Sequence, residues 1–237
     1  MNISATPRSS TYKKIALTLC SGALEFKDIC KIMKVEPTGF MSKCLDDLIK
    51  SGFITRNYSW NFISGEVLRT IFFRLSDNYI RFYLKYIDKN RIKIDNNDTI
   101  YKSLSLLPNW ETILGFQFEN LVLKNRMLIK NALRIKPDEV ISDNPYTQKK
   151  TNKIPGCQID YLIQTKFGTL YVCEIKFKKN QIGGEIIAEV KKKIDNLHLP
   201  KGFSCRPVLI HVNGVHEDVA DSGFFSDIID FSKFLEQ

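Results

Sequence analysis

The sequence predicts an α/β fold, α+β over the whole chain, in which a small helical domain precedes a domain with a mixed central sheet. Three observations support this prediction. Short runs with helical apolar spacing fill the first part of the chain, and residues 156–176 form two strand-like runs around a turn that ends at Gly168. Between them, residues 88–98 are polar and charged, which is typical of a domain boundary. We therefore expect domains at 1–87 and 105–237, joined by a linker at 88–104.

Helices and a hairpin are predicted in the first domain. The expected elements are helices at 12–20, 26–33 and 40–50 and strands at 53–56 and 70–75. Three short helices and a hairpin are typical of a winged helix-turn-helix, which often places its third helix in the DNA major groove. Asp46 and Asp47 on that helix would repel phosphates, so a structural or regulatory winged helix is the alternative to a DNA reader. Ser76-Asp77 then predicts the cap of an aromatic helix at 78–87.

The second domain is expected to run helix, three strands, helix, strand. The predicted elements are a helix at 115–133, a strand from 140, hairpin strands at 158–165 and 169–178, a helix at 184–197 and a strand at 206–212. The two hairpin strands should pair antiparallel because a short turn joins them.

Two acids and a lysine face each other across this hairpin. If pairing is centred on Phe167, Asp160 lies opposite Glu174 with Cβ atoms roughly 5 Å apart. Lys176 projects from the same face, because side chains alternate along a strand. The apolar residues of that face are Leu162, Leu170 and Val172. Two carboxylates this close repel each other unless a cation lies between them, so the pattern favours a cation-dependent site over an ordinary charged surface.

Composition narrows the class of protein. The net charge of +9 and the pI of about 9.2 favour a polyanionic partner such as nucleic acid. The six cysteines form no CxxC pair, so we expect buried thiols of a cytoplasmic protein rather than a zinc site or disulfides. No N-terminal apolar region and no long apolar segment occurs, which argues against secretion and membrane spanning.

The order of elements, with acids at Glu119, Asp160 and Glu174 and a lysine at Lys176, resembles the core of the PD-(D/E)XK nuclease superfamily. That resemblance implies a restriction-endonuclease-like αβββαβ domain. Three further stretches are similar to the C-terminal half of a family of prokaryotic AAA-type ATPases, in which a winged helix and a nuclease-like domain follow the ATPase domain. They are RLSDNYIRFYL at 74–84, GFQFE at 115–119 and GCQID at 156–160.

No GxxxxGK[ST] phosphate loop occurs in this sequence, so the resemblance implies no nucleotide hydrolysis by this chain. An ATPase partner would act in cis or in trans, because the chain is either a piece of a longer protein or a separate short protein.

The resemblance also implies a mechanism. Asp160, Glu174 and the backbone carbonyl of Ile175 would hold Mg²⁺ (or Mn²⁺) through oxygen ligands. Lys176 would orient the attacking water and stabilise the transition state, and Glu119 would hold a metal-bound water or a second ion.

Seven lysines are candidates for contacts with the phosphate backbone. They are Lys149, Lys150, Lys153, Lys178, Lys179, Lys191 and Lys192. The alternative function is a non-catalytic DNA-binding or regulatory module of an ATPase. The opposed acid pair argues for the enzyme, because a domain kept only for binding does not need it.

Overall fold

A computed structural model describes residues 7–98 and 103–235. Residues 1–6, 99–102 and 236–237 lie outside the described residues, and with them part of the predicted linker at 88–104. The chain divides into two compact units, of which the first comprises 1–57 and 70–113 and the second 58–69 and 114–237.

Within the described residues 7–98, the chain forms five α-helices and three strands. They are α1 (Pro7–Thr18), β1 (Leu24–Glu25), α2 (Phe26–Met33), α3 (Gly39–Lys50), β2 (Ile54–Trp60), β3 (Val67–Leu75), α4 (Asn78–Phe82) and α5 (Arg91–Asp95). The three predicted helices are confirmed, although α1 begins earlier than expected. The strands form one sheet in the order β1-β3-β2, and β2 and β3 are both longer than the predicted hairpin strands.

Both ends of α3 follow from local chemistry. The Thr38 hydroxyl accepts a hydrogen bond from the Met41 N–H at 3.3 Å, which caps the first turn. Gly52 has a φ of 77°, a left-handed conformation that glycine adopts without strain, and the Phe53 N–H then donates to the Leu48 carbonyl at 3.0 Å. The predicted end of this helix at residue 50 is therefore confirmed.

The aromatic segment after β3 only partly follows its prediction. Asp77 caps α4 by accepting the Ile80 N–H at 2.7 Å, as expected. The helix predicted at 78–87 is α-helical only to residue 82, and Tyr83–Ile87 is a π-helical stretch. Within that stretch the Tyr86 hydroxyl donates to the Pro108 carbonyl at 2.8 Å, and the Tyr86 ring packs 6.0 Å from that of Trp110.

Between residues 110 and 235 the structure has four α-helices and five strands. They are α6 (Trp110–Lys124), α7 (Arg126–Ala132), β4 (Val140–Gln148), β5 (Cys157–Thr165), β6 (Thr169–Lys176), α8 (Glu185–Asn196), β7 (Ser204–His211), α9 (Glu217–Ala220) and β8 (Asp227–Asp230). The prediction of one helix at 115–133 was wrong, because the helix is interrupted at Asn125, between α6 and α7. The Asn125 side chain donates to the Leu121 carbonyl at 2.8 Å, in competition with the helical hydrogen bond of the backbone.

The five strands form a mixed sheet in the order β4-β5-β6-β7-β8. β4, β5 and β6 pair antiparallel, whereas β6, β7 and β8 pair parallel. The mixed sheet of the α/β prediction is therefore confirmed, and β8 adds a strand beyond the expected αβββαβ order. A connection that includes α8 joins β6 to the parallel β7, as a parallel pair requires.

Each face of the sheet carries its own buried cluster. One face packs Tyr161, Ile163 and Cys173 against Phe118 and Val122 of α6. The other face is covered along α8, and its buried side chains are Leu162, Leu170, Val172, Leu197, Val190 and Leu209. The candidate site lies on the second face.

The hairpin between β5 and β6 has the predicted register. Tyr161 pairs with Cys173 and Gln164 with Leu170, so the ladder is centred on Phe167. Gly168 closes the turn with a φ of 68°, and a Cβ at this position would lie 3.1 Å from the Gly202 carbonyl oxygen. Glycine is thus required both by the backbone conformation and by the close approach of a neighbouring chain segment.

Residues 58–69, the outer part of the β2–β3 hairpin, belong to the second unit. Trp60 is fully buried there, and its indole Nε1 donates to Gln164 Oε1 at 2.5 Å. The Gln164 amide in turn donates to the Phe62 carbonyl at 2.7 Å. The Trp60 and Tyr146 rings pack edge to face at 5.3 Å. The second unit therefore combines two separate segments of the sequence.

All six cysteines are free thiols and five are buried, so the expectation of buried thiols is confirmed for five of them. Burial raises the pKa of Cys157 and Cys205 to about 11, which keeps both thiols protonated near neutral pH. Across 7–98 and 103–235, no helix has the length and apolar character needed to cross a membrane.

Candidate functional site

The acid pair lies at one end of the β5–β6 hairpin. Extending the observed register by one residue places Asp160 opposite Glu174. The Glu174 residue is only 3% exposed and the Asp160 side chain 17%. Asp160 Oδ2 accepts the Ile175 N–H at 2.9 Å, which fixes the carboxylate beside β6. The acids therefore emerge from a largely buried surface, as the alternation of the hairpin predicts.

A β-bulge adjoins the first acid. Two residues of β5, Asp160 and Tyr161, face the single Pro145 of β4, where the register shifts by one. Proline lacks the N–H that a regular ladder would use, so an irregularity at this position removes no donor. Bulges interrupt the regular ladder and occur often beside active sites.

The cation between the two carboxylates is the ammonium of Lys193 on α8. Its Nζ lies 2.5 Å from Glu174 Oε2 and 3.7 Å from Asp160 Oδ1. The predicted phosphate contacts of this helix, Lys191 and Lys192, are both exposed, and Lys193 is a site residue that the sequence analysis does not identify.

Helical spacing explains the different direction of Lys193. It lies three residues after Val190 and seven after Ile186, both fully or nearly fully buried against the sheet. Residues at these separations share a helix face, so Lys193 projects inward while its neighbours face solvent. That spacing is the sequence signal that could have identified it.

Lys176 is held between two acids. Its Nζ lies 3.2 Å from Glu174 Oε1 and 2.8 Å from Glu189 Oε2. Glu189 lies on α8, four residues before Lys193, and the sequence analysis did not include it in the site. The structure thus brings together Asp160, Glu174 and Lys176 as predicted, and α8 adds the carboxylate of Glu189 and the ammonium of Lys193.

Burial dominates the electrostatics of the acids. Removal from water raises the pKa of Asp160, and the charge of Glu119 raises it further, whereas Lys193 opposes the shift. Burial likewise raises the pKa of Glu174, and the neighbouring Asp160 charge adds to the effect. Both acids therefore hold protons more tightly than exposed carboxyls do.

The two lysines are shifted by their partners. Burial alone would lower the pKa of Lys193, but the Asp160 and Glu174 charges outweigh it and raise the pKa. The pKa of Lys176 is raised in the same way, because its bond to Glu189 and the Glu174 charge outweigh burial. Both ammonium groups are thus held in the charged form.

Glu119, the remaining predicted site residue, is a half-buried residue of α6 whose charge acts on Asp160. In the part of the chain that the structure describes, no three side chains of Asp, Glu, His or Cys converge to hold a metal. The carboxylate oxygens of Asp160 and Glu174 are the ligand type that Mg²⁺ prefers. The donor chemistry fits such an ion, and the position between the two acids already receives a cation, the Lys193 ammonium.

The predicted nucleic-acid lysines are mostly exposed. The exposed ones are Lys149, Lys150, Lys153, Lys179, Lys191 and Lys192. Lys178 instead forms an ion pair with Glu185 at 2.5 Å. Gln148 anchors the loop at 149–156, because its side chain donates to the Pro155 carbonyl and to the Asn196 carbonyl at the end of α8, each at 2.7 Å. This basic loop therefore begins beside the end of the helix that carries Lys193.

The sequence matches no protein-family model and no curated protein. One solved structure with some similarity is the "crystal structure of a repair endonuclease from Pyrococcus abyssi", with 14% sequence identity and a TM-score of 0.32. The match covers 56% of this chain and 49% of that chain, so this chain spans about half the length of the endonuclease. A similarity at this level carries no functional conclusion, and the function proposed below rests on the residues of the site.

Proposed function

We propose that this protein is a divalent-metal-dependent nuclease that binds DNA and hydrolyses phosphodiester bonds. The observation that supports this best is the pairing of two buried acids, Asp160 and Glu174, around a cation, with Lys176 on the same face. Buried carboxylates are costly unless a cation offsets their charge, so a fold that opposes two of them maintains a cation site.

Each residue has a role in this proposal. Asp160, Glu174 and the Ile175 carbonyl would hold Mg²⁺ or Mn²⁺, which when bound supplies Lewis acidity toward the scissile phosphate. Lys176 would donate from its ammonium to the attacking water and to the developing negative charge. Glu119 would accept a hydrogen bond from a water at the edge of the site.

The binding surface would be the basic loop at 149–156 with Lys179, Lys191 and Lys192, which are exposed and carry positive charge toward a phosphate backbone. We also propose that residues 7–75 form a winged helix-turn-helix, because three helices are followed there by a hairpin. An ATPase acting in cis or in trans would be its functional partner.

The test is incubation with duplex, single-stranded and branched DNA and with RNA, in EDTA, Mg²⁺ or Mn²⁺. Cleavage should require a divalent ion and should disappear in Asp160→Asn and Glu174→Gln. Retained cleavage in both variants would refute the site, because removal of either carboxylate should remove the metal.

A second candidate is a non-catalytic nucleic-acid-binding or regulatory module. One observation favours it: all four carboxylate oxygens of the acid pair already interact with protein donors, namely Ile175 N–H, Lys176 and Lys193. A closed network of this kind would stabilise the domain without any metal. In that case the protein would bind nucleic acid, cleave none of the substrates, and gain no stability from divalent ions.

Binding itself is tested by charge reversal. Changing Lys149, Lys150 and Lys153 to Glu should weaken binding to all sequences alike and reduce its salt dependence, because phosphate contacts carry no sequence information. The control is reversal of Lys43 and Lys50 on α3. If only the control abolishes binding, the helical unit is the main contact.

A further inference from the structure

We infer that the Lys193 ammonium is a competitor built into the cation site: it occupies the position of the divalent ion and leaves when that ion binds. The inference rests on the proposed metal site. It adds a regulatory role for α8, which supplies no ligand under the proposed function.

The contacts of Lys193 are those of a bound cation. Its Nζ interacts with one oxygen of each acid, at 2.5 Å from Glu174 and 3.7 Å from Asp160. An Mg²⁺ ion lies about 2.0–2.1 Å from its oxygen ligands. An ion at the same two oxygens would therefore lie almost in contact with the ammonium, and like charges at that distance exclude each other.

Lys193 can withdraw without moving the helix. Its side chain is 28% exposed, and it lies at the boundary between the inner face of α8 and solvent, next to the exposed Lys192. Lysine has a long flexible stem, so a change of rotamer takes the ammonium into water. Lys176 differs because Glu189 also holds it, at 2.8 Å, and that contact does not depend on the acid pair.

Displacement changes the charge of the surface. While it is bound to the acids, Lys193 adds little to the attraction of a polyanion, because its charge is neutralised locally. After an ion replaces it, the ammonium enters solvent near the exposed Lys192. Metal binding should then tighten nucleic-acid binding. By linkage, nucleic acid should tighten metal binding by the same factor.

The test is isothermal titration with Mn²⁺ at pH 8, without nucleic acid, on the full chain. Lys193→Met removes the competitor and should bind Mn²⁺ at least about tenfold more tightly than wild type, since a full positive charge leaves the site. Lys192→Met is the matched control, with the same charge change on the same helix at an exposed position, and should stay within about twofold. An unchanged or weaker affinity in Lys193→Met would overturn the inference.

If Lys193→Met does not fold, a second variant and a second measurement still test the inference. Lys193→Arg keeps the charge and can hold two oxygens at once, so it should weaken Mn²⁺ binding rather than strengthen it. In wild type, the side-chain amino signal of Lys193 should shift on titration with Mg²⁺ while that of Lys192 stays in place. An unshifted Lys193 signal at saturating Mg²⁺ would also refute displacement.

These outcomes separate the inference from the proposed function. Tighter Mn²⁺ binding in Lys193→Met without any cleavage supports the competitor and argues against the nuclease. Metal-dependent cleavage with unchanged Mn²⁺ affinity in that variant supports the nuclease and refutes the competitor role of Lys193.

Discussion

Replacing Glu174 by Gln removes the more deeply buried acid while keeping its shape. Two opposed acids with an empty gap would gain stability from this change, because it relieves repulsion. Lys193 reverses that expectation. Its ammonium lies 2.5 Å from the nearly inaccessible Glu174 carboxylate, and the substitution removes the negative charge of that partner. Breaking a buried ion pair costs about 3–5 kcal/mol when one charge is left alone.

Here both lysines keep a second partner, which reduces the loss. Lys193 retains Asp160 at 3.7 Å and Lys176 retains Glu189 at 2.8 Å. We therefore expect the free energy of unfolding to fall by about 1–3 kcal/mol, the range for a lost charge-assisted hydrogen bond. The assay is urea unfolding at pH 8 in EDTA. Glu189→Gln is the control, and because that side chain is 49% exposed its change should stay below about 1 kcal/mol.

The same variant tests metal binding. Mn²⁺ at 100 times its dissociation constant should stabilise wild type by about 2.7 kcal/mol, and Glu174→Gln should lose most of that gain. A Glu174→Gln protein as stable as wild type in EDTA would mean that the Lys193 bridge contributes nothing. An equal metal-dependent gain in both proteins would mean that Glu174 is not a ligand.

Four further predictions concern other parts of the molecule. Lys176→Ala should bind Mn²⁺ at least as tightly as wild type in titration, because a positive charge leaves the edge of the site, and should lose at least about 10²-fold in cleavage rate, because the role of Lys176 is in the transition state. Raising the pH above about 10.4 should lower the urea midpoint of wild type more than that of Lys193→Met, since a raised lysine pKa stabilises the fold only while the ammonium is charged. Trp60→Phe should cost about 1–3 kcal/mol in urea unfolding, because it leaves Gln164 Oε1 without its indole donor inside the core. Asp77→Ala should cost about 1 kcal/mol by the same assay, because α4 loses its cap.

The hairpin could be predicted from the sequence because its determinants are local. Gly168 sets the position of the turn, and extending the observed ladder by one residue beyond Tyr161 and Cys173 places Asp160 opposite Glu174. Register follows from turn position and the apolar pattern, which are both visible within twenty residues of chain. The cap at Asp77 was predictable for the same reason.

What the sequence analysis missed depends on separated segments. Trp60 and Gln164 are 104 residues apart, and neither carries a local pattern that indicates the other. Lys193 was hidden by its neighbours, because a run of three lysines suggests one exposed face. The three lysines point in different directions around the helix, however, and Lys193 shares the apolar face of α8. Its spacing from that face predicts a role different from that of its exposed neighbours.

The balance of charge in the site bears on both candidate functions. The two buried acids, Asp160 and Glu174, face two ammonium groups, those of Lys176 and Lys193, whereas Glu189 is 49% exposed. Burial nevertheless raises the pKa of both buried acids, so the two lysines do not fully offset the cost of removing the carboxylates from water. Proton uptake by an acid, or a cation of higher charge in place of Lys193, would offset that cost. Proton uptake would weaken the Lys193 bridge, whereas a divalent ion would satisfy both acids and free the lysine. This remaining cost of the buried acid pair is the physical argument behind the proposed metal-dependent function, and a wild type that gains no stability from Mn²⁺ would contradict it.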